Sequence, residues 1–363
     1  MRSNLRKKLD NSISFFESKY RIHKYRKAAK LRLKRMNGGY NCDKEYNDIV
    51  VPFWEKYNKK PKKYWYNIFA DRESSVDPRY IPDDMYYGEI VPYYSNMQFR
   101  RLGEDKCFHY LWFSDFKRPE TVMKNIAGVY YDGDNNIISK SKAIDLCTKY
   151  KKNFLVKPSI DSGEGRLIQF FESGNVTSKD INDSLNTLKA NFIFQEEVKQ
   201  HEILRSLNES SLNTIRIVSF LFEEKVYILS AILRVGAKGS KVDNVGAGGV
   251  AIPILENGVL SNKGVNRKAE WVYETNSGIQ FNNLKIPEYN DLIDLIKKKH
   301  MELAHFKLIG WDFSISENSE PVFIEFNSCP GQNQMSCGPT FGDITDRVLE
   351  DVYINRTLRY AKN

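Results

Sequence analysis

Apolar and polar positions change rhythm twice along the chain. From about residue 106 to 350, short alternating or continuous apolar runs are separated by turns of Gly, Asn and Asp. Alternation predicts half-buried strands, and continuous runs such as Ile217–Phe222 and Val226–Leu233 predict strands buried on both faces. The fold class expected for this body is α+β, with largely antiparallel sheets and a few helices. Residues 40–105 read differently. They are dense in Tyr and Trp, and Pro52, Pro61, Pro78, Pro82 and Pro92 interrupt any long helix, so an irregular, aromatic-packed accessory region is expected. Residues 1–36 place Leu5, Leu9, Ile13, Phe16, Ile22, Leu31 and Leu33 at partly helical spacing, and Gly38-Gly39 marks the end of that segment.

One pair of strands carries chemistry. Leu308–Ile315 and Pro321–Asn327 flank a polar turn. A loop of Glu317–Glu320 would set Ile315 opposite Val322, Phe313 opposite Ile324 and Trp311 opposite Phe326, apolar against apolar. On the other face the same register sets Asp312 across from Glu325, with Asn327 two residues along. Opposed carboxylates repel unless a cation lies between them. Two carboxylates and an amide oxygen suit magnesium or manganese with phosphates completing the shell. The other reading is an exposed face whose acids are solvated or bridged by lysine.

Further candidates are weaker singly. Phe154–Pro158 predicts a buried strand ending near Lys157, followed by Ser159–Gly165 and a second strand over 166–171. The Gly-rich tip is either an anion nest beside Lys157 or a simple turn. Phe192–Glu202 predicts a strand running into an acidic linker, which is either a nucleotide-edge contact or a charged loop. Arg216 sits within an apolar strand and must be paired, with a transferring phosphoryl group or with a structural acid, and Arg234 poses the same choice. Asn244 and the run Gly246–Gly249 predict a close-approach loop or a flexible one.

Composition narrows the class. At 363 residues with 41% hydrophobic and 28% charged side chains, the chain has the make-up of a soluble globular protein. No apolar run approaches the roughly 18–20 residues of a membrane span, and no secretory leader is evident. Five scattered cysteines without C-x-x-C pairing predict a reducing compartment, the cytoplasm, and the histidine spacing argues against zinc. No internal repeat or low-complexity tract is evident. The net charge of +9 is local: residues 1–36 hold 13 Lys or Arg against Asp10 and Glu17, which leaves 42 basic and 44 acidic side chains elsewhere. That segment is expected to be a solvated helix packed loosely on the body, or a contact for anionic lipid or an acidic polymer such as polysaccharide machinery at the inner face of the membrane. Nucleic acid is not expected, since no recognition motif accompanies the charge.

The order of these elements is more specific than any one of them. Asp105-Lys106, Val156-Lys157-Pro158 with its Gly-rich loop, Gln195–Val198, Asn213–Arg216, Asp312 and Glu325–Asn327 together resemble the ATP-grasp superfamily, over about residues 105–345. Within it the chain is similar to the ATP-grasp proteins associated with sugar transfer. The resemblance implies two α+β subdomains, 105–195 and 196–363, clasping ATP behind an N-terminal segment 1–39 and an accessory region 40–104. It implies that Lys106 and Lys157 hold phosphates, that Ser162, Gly163, Glu164 and Gly165 form a lid, and that Glu196, Glu197 and Val198 contact adenine. His201 or Glu202 would meet the ribose, and Asp312, Glu325 and Asn327 would bind two magnesium ions. Arg216, with Lys157, would stabilise the phosphoryl group, while Arg234, Asn213, Asn244, Gly248 and Gly249 would face the substrate. The activity implied is a carboxylate–amine ligase working through an acyl phosphate, on a sugar acid or capsule precursor and an amino acid or small amine. The alternatives are a phosphotransferase and a non-catalytic nucleotide-binding regulator of glycan synthesis. The parallel βαβ domain common in the superfamily has no counterpart in residues 1–104.

Overall fold

The computed structural model describes residues 2–70, 74–160, 165, 167–243 and 245–356, and for 2–15 the backbone only. Helix α1 runs over Arg2–Arg35 and ends where Asn37, Gly38 and Gly39 take positive φ. It lies on the accessory region: Ser18 Oγ donates to the Gly88 carbonyl at 2.7 Å, Tyr25 stacks on Tyr87 at 4.2 Å, and Arg26 pairs with buried Asp84 at 2.6 Å. Gly88 is needed there, because a Cβ at that position would come within 2.4 Å of Ile22.

The accessory region forms short helices rather than the irregular structure expected. Pro52 and Pro92 lie inside the continuous helical stretches 43–55 and 83–94, each just after a π-helical turn, Tyr46–Val50 and Tyr86–Ile90, whose wider spacing accommodates the missing N–H. Its aromatic side chains form one core, with Trp54, Trp65, Tyr66, Tyr86 and Tyr94 packed against Phe220 and Phe222 of the larger sheet. Phe341, Val348 and Leu349 join the same core, so the chain after about residue 340, grouped by the sequence with the larger sheet, closes onto the accessory helices.

The body from about residue 106 has the α+β architecture the sequence predicts. Six antiparallel strands, β1 (Thr121–Ile126), β2 (Val129–Asp132), β3 (Ile137–Ile138), β4 (Phe154–Pro158), β5 (Gln169–Phe171) and β6 (Phe192–Glu196), lie in the order β3-β2-β1-β6-β4-β5. Helices α2 (Lys140–Lys149) and α3 (Ser178–Leu188) cover them, the latter opened by a reciprocal cap between Thr177 and Asp180. After the short helix α4 (Glu202–Leu207) comes the larger antiparallel sheet. Its strands are β7 (Thr214–Phe222), β8 (Lys225–Val235), β9 (Val250–Pro253), β10 (Gly264–Asn266), β11 (Trp271–Val272), β12 (Leu308–Ile315) and β13 (Pro321–Asn327). Their order is β11-β10-β9-β8-β7-β12-β13. Helix α5 (Tyr289–Glu302) backs this sheet, over a core that includes Phe113, Trp311, Phe313, Phe323 and Phe326.

The β12–β13 pair matches the expected register at one end only. Trp311 faces Phe326 and Asp312 faces Glu325, but Phe313 faces Phe323 and Ile315 faces Pro321. Ile324 is the extra residue of a β-bulge. The turn is correspondingly longer than expected, with Ser316 N donating to Glu320 O at 2.9 Å and Ser319 at a φ of 64°. Apolar faces alone cannot reveal a bulge, because both registers bury the same kind of residue.

Candidate active site

The two sheets face each other across a cleft of about 1880 Å³. At its centre a row of residues crosses the larger sheet in register: Arg216 on β7, Asp312 on β12 and Glu325 on β13. Asp312 is buried, and its two oxygens accept from Arg216 Nε and, at 2.7 Å, from Arg216 Nη2. Arg234 Nη2 reaches the same carboxylate at 3.1 Å and Thr214 Oγ1 at 2.6 Å. Burial acts to raise the Asp312 carboxyl, but the two guanidiniums outweigh it and hold the group below the ordinary carboxylate range. Arg216 is likewise penalised by burial and held cationic by Asp312.

Across the cleft, Lys106 Nζ meets Glu325 Oε1 at 3.2 Å. Lys106 follows Asp105, whose side chain caps the short turn by accepting from Cys107 N at 2.9 Å. Lys157 lies on β4 opposite Ile193, buried, and its amine has no hydrogen-bond or ion-pair partner among the described residues. Burial, and then the nearby Lys106, pull this amine down to about 8, against the pull of Glu325. A buried ammonium without a counter-charge is a place prepared for an anion.

Whether the residues present suit a divalent cation is decided by donor chemistry. Among the described residues there is no cluster of three or more His, Cys, Asp or Glu side chains. The available set is therefore the two carboxylates and the Asn327 amide, which stands opposite Gly310 and whose buried Nδ2 has no partner. That set fits magnesium, which takes one or two protein carboxylates and completes its shell with water and phosphate. Asp312 and Glu325 are held here by arginine and lysine, so metal entry requires those cations to find another anion.

Other candidates sort by position. Glu196, Glu197, Val198 and Gly165 line the cleft, with Glu196 bridged to Lys152 at 2.9 Å. His201 and Glu202 do not line it. His201 caps α4 by accepting from Ile203 N through Nδ1 at 3.2 Å, and Glu202 is the first residue of that helix. Asn213 is fully buried below the cleft and clamps the Leu204 and Asn208 carbonyls at 2.7 and 2.8 Å. Gly248 and Gly249 lie off the cleft, where Gly248 O accepts from Asn276 at 3.1 Å, and their neighbours Val245 and Gly246 line it instead. Ser162, Gly163, Glu164 and Asn244 fall outside the described residues.

Several cleft residues escaped the sequence reading. Asp243 accepts from Thr214 Oγ1 and lies 3.4 Å from Arg234 Nε; a lone acid before a Gly-rich run was the available signal. Arg32, Arg35 and Met36 of the N-terminal segment form part of the wall, together with Arg267 and Lys268. No local pattern marks these five. His109 is also buried, with Nε2 unpartnered, and burial followed by Lys106 and Lys157 keeps it neutral.

Two antiparallel sheets closing on cations and paired carboxylates define the class of protein: a clasp for a phosphorylated ligand. The sugar-transfer associated ATP-grasp family model matches residues 119–341, more than half of the chain, and the chain belongs to that family. No curated protein matches it. Among solved structures it is similar to D-alanyl-alanine synthetase A from Vibrio cholerae, at 13% identity and a TM-score of 0.42, covering 70% of this chain and 65% of that one. It is also similar to the biotin carboxylase domain of Hydrogenobacter thermophilus 2-oxoglutarate carboxylase in complex with MgADP, ADP and bicarbonate, at 14% identity and a TM-score of 0.43, covering 71% and 47%. A third is D-alanine–D-alanine ligase from Bacillus anthracis complexed with ATP, at 13% identity and a TM-score of 0.36, covering 77% and 68%. The chain thus spans less than two thirds of the first two. Among the described residues no helix is long and apolar enough to cross a membrane.

Proposed function

We propose that the chain is an ATP- and magnesium-dependent ligase that joins a carboxylate to an amine through an acyl phosphate. The observation that carries this reading is the meeting, in one cleft, of Asp312, Glu325 and Asn327 with Lys106, Lys157 and Arg216. Magnesium at the carboxylates would neutralise charge on the β- and γ-phosphates. Lys157 and Lys106 would hold the phosphates as point charges, the first because it has no direct ion pair among the described residues. Arg216, fixed by Asp312, would stabilise charge on the transferring phosphoryl group. A substrate carboxylate oxygen bonds to that phosphorus as the bond to ADP breaks. The amine nitrogen then attacks the acyl carbon, phosphate leaves, and the amine gives up a proton.

The size of the cleft supports more than one substrate, since a single small-molecule site fills roughly 300–1,000 Å³. Arg32, Arg35, Arg267 and Lys268 line part of it, and a carboxylate substrate suits that wall better than a neutral one. In this reading the C-terminal end of α1 forms part of the substrate wall. The sugar-transfer association of the family supports a sugar acid or cell-surface polysaccharide precursor as the carboxylate, with an amino acid or small amine as its partner.

The test is phosphate release with ATP and magnesium over a matrix of uronic acids and amines, followed by mass spectrometry of the product. Release that needs both an acid and an amine, with a new amide mass, supports ligation. A phosphorylated alcohol formed without amine would replace this reading with a phosphotransferase.

A further inference from the structure

Helix α1 presents three sides to three surroundings. One side, with Ser18, Ile22, Tyr25 and Ala29, packs on the accessory helices. A second lines the cleft through Arg32 and Arg35. The third is exposed, and its residues recur in alternating steps of four and three: Phe16, Tyr20, His23, Lys27, Lys30 and Lys34. That alternation follows the 3.6-residue turn, so these positions form a single stripe. In the sequence Leu9 and Leu5 stand seven and eleven residues before Phe16, about two and three turns back on the same line.

The stripe and its edges differ from an ordinary solvated helix face in two ways. Charge is sorted: Arg21 pairs along the helix with Glu17 at 3.6 Å and Arg26 with buried Asp84, whereas Lys27, Lys30 and Lys34 have no carboxylate partner among the described residues. No acidic residue falls on the stripe. Large apolar groups on it are also exposed, with Phe16 and Tyr20 at 69% each. A soluble polyanion calls for the lysines but not for aromatic rings beside them. An anionic bilayer surface suits both, with lysines at the headgroups and rings at the acyl boundary. A 34-residue helix is about 50 Å long, and its straight stripe fits a flat partner.

We propose that this face of α1 docks the protein peripherally on an anionic lipid surface. Docking there sets the Arg32–Arg35 wall of the cleft about one helix diameter, roughly 10 Å, from the headgroups. This inference does not depend on which reaction the cleft performs.

Co-sedimentation of the full chain with phosphatidylcholine vesicles, with and without one third phosphatidylglycerol, tests it at about 0.1 M salt. Binding is expected only with phosphatidylglycerol, and it should weaken as salt rises. Replacing Lys27, Lys30 and Lys34 together by Glu should lower partitioning about 100-fold, at roughly fivefold or more for each lysine. Phe16→Ser with Tyr20→Ser should lower it about tenfold while keeping the salt dependence. Both variants alter exposed positions, and unchanged thermal melting confirms that they fold. Equal sedimentation with both vesicles, or none with either, overturns the proposal. So does undiminished binding by the Phe16/Tyr20 variant, which would assign the stripe to a soluble polyanion.

Discussion

Arg216 and Asp312 stand directly opposite each other on β7 and β12 and share a two-pronged ion pair, with Nη2 2.7 Å from Oδ2. The carboxylate proposed to hold the metal is therefore the group that aims the arginine. Asp312 is buried and Arg216 half-buried, so removing the arginine strands a buried carboxylate.

Arg216→Ala is expected to lower stability by about 3 kcal/mol, the low end for breaking a buried pair, because Arg234 still reaches Asp312. Denaturant unfolding measures this. Asp312→Asn, which keeps the shape, should cut magnesium-dependent ADP release by about 100-fold or more and raise the magnesium needed for half-maximal rate. Wild-type turnover at sub-saturating magnesium in that variant would count heavily against the assigned role.

Lys157 titrates near 8 in the nucleotide-free protein, and a bound phosphate would favour its charged form. ATP affinity should fall as pH rises above 8, by up to about tenfold per unit, and binding there should take up a proton. Calorimetry at pH about 9 in buffers of different ionisation enthalpy reads the uptake directly. Lys157→Met should abolish it, and a variant that still takes up the full proton would show that another group is responsible.

His300 is neutral by design of its surroundings. Trp311 Nε1 donates to Ser219 Oγ at 2.7 Å, Ser219 Oγ lies 2.7 Å from His300 Nδ1, and Nε2 lies 2.8 Å from the Phe306 carbonyl. Burial lowers the imidazole to about 4. Its contribution is fully present above the unfolded value of about 6.5 and is lost as pH falls from there through 4, a span of about 3 kcal/mol. His300→Gln should show a shallower loss of stability over that window in acid-dependent melting, even if it is less stable at pH 7.

Arg35 ends α1 exposed at the cleft wall. Arg35→Ala is expected to raise KM for the carboxylate substrate about tenfold, with KM for ATP and the melting temperature unchanged. An equal rise in both KM values would place Arg35 at the nucleotide instead.

Local rules carried much of the molecule. Period-two alternation put Asp312 and Glu325 on one face, but their pairing rested on an assumed four-residue loop; the turn is one residue longer, and the Ile324 bulge restores the match. The continuous apolar runs at 217–222 and 226–233 identified the central strands, because a strand covered on both faces has no polar side to alternate with. Proline spacing was read as irregularity, yet Pro52 and Pro92 sit inside helical stretches, because a π-helical turn before each absorbs the missing N–H.

What tertiary structure alone decided was which polar groups work and which merely hold the fold. Asn213, His201 and Glu202 look as available in sequence as Lys157, but the first two spend their polar atoms on nearby backbone and the third begins a helix beside the cleft. The Ile324 bulge is invisible to patterning that scores either register alike. The juxtaposition of Arg35 with Asn333 and Lys268 spans most of the chain, and no local spacing encodes it. Periodicity reports which face a residue takes within its own element. Where two elements meet is set by packing of the whole core.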